Sequence, residues 1–174
     1  MKLRILLFPF LFLTAIILTS CGAKHAVITT KEESRYSTEP KRGDISTEIA
    51  SKVVKNAQKF EGTRYRYGGT SKRGMDCSGL VYVSFLQEDI SIPRTARAMS
   101  LQGERLFLKE VSPGDLLFFQ TSKNRNVINH VGLVVKVKNG EIYFIHSTTS
   151  AGVIISLLSE AYWKNNFVMA RRII

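Results

Sequence analysis

The chain has 174 residues, 44% of them hydrophobic, with two cysteines and 25 Lys and Arg against 14 Asp and Glu, a formal net charge of +11. That length suffices for one domain with its own core and requires no second, and two cysteines exclude a scaffold held by a disulfide framework. Strong positive charge selects partners rather than fold, leaving nucleic acid, anionic lipid head groups and carboxylate-rich peptides as candidates.

Met1-Lys2-Leu3-Arg4 is basic, Ile5 to Leu18 is almost unbrokenly apolar, and Leu18-Thr19-Ser20-Cys21 closes with small residues. Charged, apolar, small is the layout of a secretory signal. The alternative, a membrane anchor helix, wants about 20 apolar residues, and this run is shorter and holds Pro9. Leu-Thr-Ser-Cys also resembles a lipobox of bacterial lipoproteins, which implies a signal peptide over 1–20, cleavage before Cys21 and lipidation of that thiol. More than one acyl chain would hold the protein durably, where a single chain is marginal. Cleavage removes Lys2 and Arg4 and no acid, lowering the formal charge from +11 to +9. An exported lipoprotein does not meet nucleic acid, so lipid and wall peptides remain. Gly22 to Gly43 is polar, mixed in charge and without apolar period. Residues 21–44 therefore read as a lipidated N-terminus and flexible tether, and 45–174 as the folded domain.

Ile45, Ile49, Val53, Ala57 and Phe60 recur at helical spacing before Gly62, predicting an amphipathic helix over 45–61. Arg64 to Gly69 is an irregular aromatic loop. Gly74-Met75-Asp76-Cys77-Ser78-Gly79 then turns into the apolar run Leu80 to Leu86, predicting a helix over 77–88 that Asp89 to Pro93 ends. Unpaired N–H groups and the macrodipole at its tip favour thiolate over thiol, which makes Cys77 a candidate nucleophile. The plainer alternative is a buried cysteine packing as a small hydrophobe. With Cys21 consumed, Cys77 is the sole thiol in an oxidising setting, a liability unless buried or used.

A short helix near 95–101, broken at Gly103, precedes a change of period. Ser112-Pro113-Gly114-Asp115 marks a turn, Leu116 to Gln120 a strand and Thr121 to Asn129 a loop. His130 to Val137, Glu141 to His146, Val153 to Ser156 and Phe167 to Ile173 are strands. Helices followed by strands argue an α+β fold with an antiparallel sheet.

His130 opens one strand and His146 closes the next. A two-residue turn at Asn139-Gly140 would place the two rings on opposite faces by parity. A three-residue loop Lys138-Asn139-Gly140, with Gly140 left-handed in a bulge, pairs Val137 with Glu141 instead and brings both rings to one face, His146 opposite Gly132 with room for the ring. The bulged loop is the expectation. Two chemistries then fit. In one, His130 draws the proton from Cys77 and His146 orients it, giving a thiolate–imidazolium pair. In the other, Cys77, His130 and His146 hold zinc with water in the fourth place. Two unconnected core histidines are the structural alternative.

Tyr65-Arg66-Tyr67-Gly68-Gly69-Thr70, Gly74 to Gly79, Ser112 to Leu116, His130-Val131-Gly132 and Ile145-His146-Ser147 resemble, in order, the motifs of the NlpC-type cysteine peptidases. Gly152 to Ser156 and Tyr162-Trp163-Lys164, with the lipobox, are similar to the lipoprotein murein endopeptidases of that family. The resemblance implies a papain-like α+β core, N-terminal helices packed on an antiparallel sheet, acting as a monomer without metal or organic cofactor. It implies Cys77 as nucleophile, His130 as base, His146 as the orienting third member and Tyr65 as a hydroxyl near the oxyanion. Asp76 and Ser78 match groove positions, with Asp76 either pairing with a peptide amine or capping the helix. The implied substrate is peptidoglycan, cut at the D-Ala to diamino-acid cross-link or at the D-Glu to diamino-acid stem bond. A lipoprotein that binds wall peptides without cutting them is the competitor from another class. The implied place is the cell envelope, facing the periplasm. Gly22 lacks the acidic residue of inner-membrane retention and points to the outer membrane. The visible departure from the family pattern is a longer hairpin between the histidines.

Overall fold

The structure, a computed structural model, describes residues 42–122 and 127–174. The signal segment, Cys21 and the tether up to residue 41 lie outside the described residues. Helix α1 spans Arg42–Gln58, so Arg42, Gly43 and Asp44 are helical rather than tether, and the helix ends three residues before the expected Glu61. Asp44 in its first turn and Lys55 in its last complement the macrodipole. Val53, Ala57 and Phe60 are buried as their spacing predicts, Val54 is buried beside them, and Ile45 stays exposed. Beyond the helix, the Gly62 N–H donates to the Val153 carbonyl and the Val153 N–H to the Thr63 carbonyl, both at 2.8 Å.

Strands β1 (Thr70–Ser71) and β2 (Gly74–Met75) form a small hairpin that leads into α2, Cys77–Leu86. Helix α3 is Ala96–Met99, capped by the Thr95 hydroxyl. Then come β3 (Glu104–Leu106), a 3-10 turn at Leu108–Glu110, β4 (Leu116–Phe119), β5 (His130–Lys138), β6 (Glu141–Thr148), β7 (Gly152–Leu157), α4 (Ala161–Asn166) and β8 (Phe167–Arg172). The six longer strands form one sheet in the order β3-β8-β4-β5-β6-β7, antiparallel at every pairing. The fold is α+β, as the order of elements predicts. Strand β4 is buried on both sides and so reads as a continuous apolar run. Leu116 and Phe118 join the core under α1 and α2, whereas Leu117 and Phe119 join a second cluster with Phe144 and Trp163 on the other face. Strands β1, β2 and β3 and helix α4 carry too few residues to show a period, and the sequence reading missed them.

The β5–β6 hairpin departs from expectation in mechanism but not in outcome. Lys138 pairs with Glu141, so the turn is the two-residue Asn139-Gly140, with φ of +52° and +80°. Both positive angles mark a type I′ turn, for which Asn-Gly is the favoured sequence. A flat hairpin from this turn would separate the histidines. However, Val134 pairs with Phe144 while Lys136 pairs with Tyr143, leaving Val135 as an extra residue in β5. This β-bulge shifts the register by one and restores both rings to one face. The bulge sits in mid-strand, where no glycine announced it. At Gly132 the atoms nearest to an added Cβ are those of the Phe144 ring, with which it would collide.

Candidate active site

Asp76 caps α2 and thereby aims Cys77. Its carboxylate accepts from the Gly79 N–H at 2.6 Å and the Gly68 N–H at 2.8 Å. The Arg94 guanidinium donates to both carboxylate oxygens at 3.0 Å and to the Ser78 hydroxyl at 2.9 Å. Of the two roles left open for Asp76, the structure places it at the N-cap. With both oxygens engaged by Arg94, it is not a free anion awaiting an amine. Gly79 is required here, since a Cβ would strike the Gly69 carbonyl. Arg94 was missed because Ile92-Pro93-Arg94-Thr95 reads only as the end of a helix.

The loop before Cys77 is tied on two sides. Arg66 N–H donates to the Met75 carbonyl and Met75 N–H to the Arg64 carbonyl, at 3.1 and 3.0 Å, holding Tyr65 alongside β2. The buried Ser147 hydroxyl, next after His146, donates to the same Met75 carbonyl at 2.8 Å. The helix carrying the thiol and the strand carrying the second imidazole are thus joined through Met75.

Cys77 is partly buried. Burial pushes its thiol up, against the opposing pull of the Val131, Ser78 and Cys77 N–H groups. The Val131 donor follows His130 directly, so the sulfur lies where β5 begins. His130 Nε2 and His146 Nδ1 are 3.0 Å apart, and His146 Nε2 lies 3.0 Å from the Ser156 hydroxyl. Burial lowers His130 to about 4; burial and then the neighbouring His130 lower His146 to about 3. The rings are therefore neutral near pH 7. Burial thus opposes the charge on each partner of the thiolate–imidazolium pair expected from the helix tip, and the amide donors at Cys77 act in the other direction. Trp163 stacks on His130, centroids 5.2 Å apart, and meets His146 edge-on at 4.5 Å. Phe144 stacks on the other ring at 4.7 Å.

Tyr65, Cys77, His130, Ser156 and Trp163 line one open cleft of about 470 Å³, and a neighbouring groove continues past Tyr65 and Cys77 to Asp76, Ser78 and Arg94. Burial first, then the Cys77 sulfur, pushes the Tyr65 phenol up, so it stays a hydroxyl donor. The histidines are coupled, which removes the reading of two unconnected core residues. Among the described residues no three His, Cys, Asp or Glu side chains are grouped so as to hold a metal ion. Among the same residues no helix is long and apolar enough to cross a membrane.

Residues 62–172 match the NlpC/P60 family. The chain belongs to that family. As an NlpC/P60 protein it is a cysteine peptidase. Among curated relatives, it is 35% identical over 169 residues to the Escherichia coli protein named "Probable endopeptidase NlpC", covering 95% of this chain and 99% of that one. It is 32% identical over 130 residues to the Escherichia coli "Murein DD-endopeptidase MepS/Murein LD-carboxypeptidase", covering 74% of this chain and 65% of that protein. A crystal structure of an NLP/P60 protein "similar to lipoprotein" from Staphylococcus aureus superposes with a TM-score of 0.64 at 30% identity, over 79% of this chain and 44% of that one. The NlpC/P60 likeness and the helices on a six-stranded antiparallel sheet agree with the expected papain-like α+β core.

Proposed function

We propose that this NlpC/P60 protein is a peptidoglycan endopeptidase using a Cys77–His130–His146 triad. The observation that carries the reading is the 3.0 Å contact between His146 Nδ1 and Nε2 of His130, which lines the same cleft as Cys77. If Nε2 of His130 donates to His146, the Nδ1 lone pair is left to accept the thiol proton. As that proton moves, sulfur bonds to the amide carbon and the carbonyl electrons collect on oxygen, where the Cys77 N–H and the Tyr65 hydroxyl supply donors. His130 then protonates the departing amine as the C–N bond breaks, and as base it activates the water that hydrolyses the thioester. One chain supplies every group, which fits action as a monomer, and no cofactor is called for.

The wall substrate is supported by the relatives named as murein and NlpC endopeptidases, and the DD-endopeptidase name favours the D-Ala to diamino-acid cross-link. Lipidation at Cys21 after removal of 1–20, with attachment at the outer membrane facing the periplasm, rests on the lipobox and on Gly22. The test is incubation of the protein with purified sacculi and mass analysis of released muropeptides. Cross-link products that vanish in Cys77→Ala support the proposal. Stem cleavage instead would move the scissile bond, and co-sedimentation without products would favour the binding lipoprotein.

A further inference from the structure

The geometry points to Ser156 as a fourth, positioning member of the site, acting through His146 on the base His130. The inference rests on the triad proposed above. Phe144 faces Ser156 across β6 and β7, and His146 faces Ile154, so Ser156 is the diagonal neighbour of His146 on the face that opens on the cleft. His146 is 0% exposed and Ser156 7%. Aromatic rings cover the imidazoles: Phe144 is stacked on His146, and Trp163 lies against both histidines. Nδ1 of His146 is committed to His130, and the hydroxyl 3.0 Å from Nε2 is the partner that the structure gives the remaining nitrogen.

A buried ring nitrogen without a partner is costly, and a hydrogen bond to a charged group is worth more than one to a neutral group. When His130 takes the thiol proton, the charge is shared along Nε2–H of His130 to Nδ1 of His146, and His146 donates a hydrogen bond from its own Nε2–H to the Ser156 oxygen. The hydroxyl oxygen thus stabilises the imidazolium form more than the resting form. It also supports the His146 tautomer that leaves Nδ1 free to accept, and with it the His130 tautomer that presents a lone pair to sulfur. With its oxygen accepting, the Ser156 hydroxyl keeps its hydrogen available to a partner in the cleft that it lines.

The purified full-length protein and its Ser156→Ala, Ser156→Thr and Cys77→Ala variants are assayed on a defined cross-linked muropeptide dimer. Ser156→Ala lowers kcat by roughly ten- to hundredfold with little change in KM, and moves the acid limb of kcat to lower pH, because the cation loses an acceptor. Ser156→Thr restores the hydroxyl and most of the rate. Nitrogen-15 spectra of the Cys77→Ala protein show His146 protonated at Nε2 and bare at Nδ1, a readout that does not depend on Ser156→Ala folding. An unprotonated His146 Nε2, or a Ser156→Ala enzyme with parental kcat and an unmoved acid limb, overturns the inference. Absence of any Cys77-dependent cleavage by the parent sinks the functional reading instead, and the tautomer still decides whether Ser156 accepts from His146.

Discussion

At the cleft, burial is the largest influence on Cys77, His130 and His146, the three side chains of the proposed triad, and it acts on each toward the neutral form. His130, held near 4, stays a free base well below the pH at which an ordinary histidine of pKa about 6.5 charges. The acid limb of kcat/KM is therefore expected between about pH 4 and 5, and a profile that already halves near pH 6.5 would contradict it. A second expectation concerns packing behind the base. Gly132→Ala drives a Cβ into the Phe144 ring, on which His146 is stacked, and should cost about 1–3 kcal/mol of stability together with activity; calorimetry and turnover on one preparation test both. The thiol and both imidazoles were legible because short motifs flank each of them. Arg94 and Ser156 were not. Each is an ordinary polar residue until the structure sets it beside its partner, half-buried Arg94 on Asp76 and buried Ser156 on His146, and such pairings leave no periodic trace.

Two elements do the positioning, a capped helix and a bulged hairpin. Asp76→Ala removes the N-cap and strands Arg94, and thermal melts should show a loss of about 3 kcal/mol. Asp76→Asn keeps an acceptor for the Gly79 N–H and should lose clearly less. In the hairpin, deleting Val135 removes the extra residue and returns β5 to a flat register. His130 and His146 then face opposite sides, and cleavage should disappear while circular dichroism still reports a folded sheet; a deletion variant that cuts at the parental rate would refute the role of the bulge. For the histidines to share a face one extra residue is needed, and the expected place for it was the Lys138-Asn139-Gly140 loop. The turn chemistry of Asn139-Gly140 argued for two residues, and that local rule prevailed. Helix and strand identity was readable over long periodic runs. The two-residue strands and six-residue α4 were not, because their existence depends on neighbours rather than on their own pattern.

For the molecule as a whole, two neutral histidines buried at the centre make folding sensitive to acid. Their folded-state values lie below the unfolded value, so the unfolded chain binds more protons as pH falls from about 6.5 toward 4. Their contribution is complete above that window and is lost within it. Melting temperature should drop between pH 7 and 4, and a His130→Gln, His146→Gln double variant should drop less over the same range; equal slopes would show that other groups govern acid stability. The edge of β7 is partly satisfied by Gly62 and Thr63, which leaves fewer unpaired groups there for a second chain to add to. The hairpin tip presents a different opportunity. Because the odd residue that aligns the two rings lies at Val135, upstream of Asn139-Gly140, the tip and the chemistry are geometrically uncoupled. A fluorophore or epitope grafted at that corner would report on the enzyme and leave its catalysis intact.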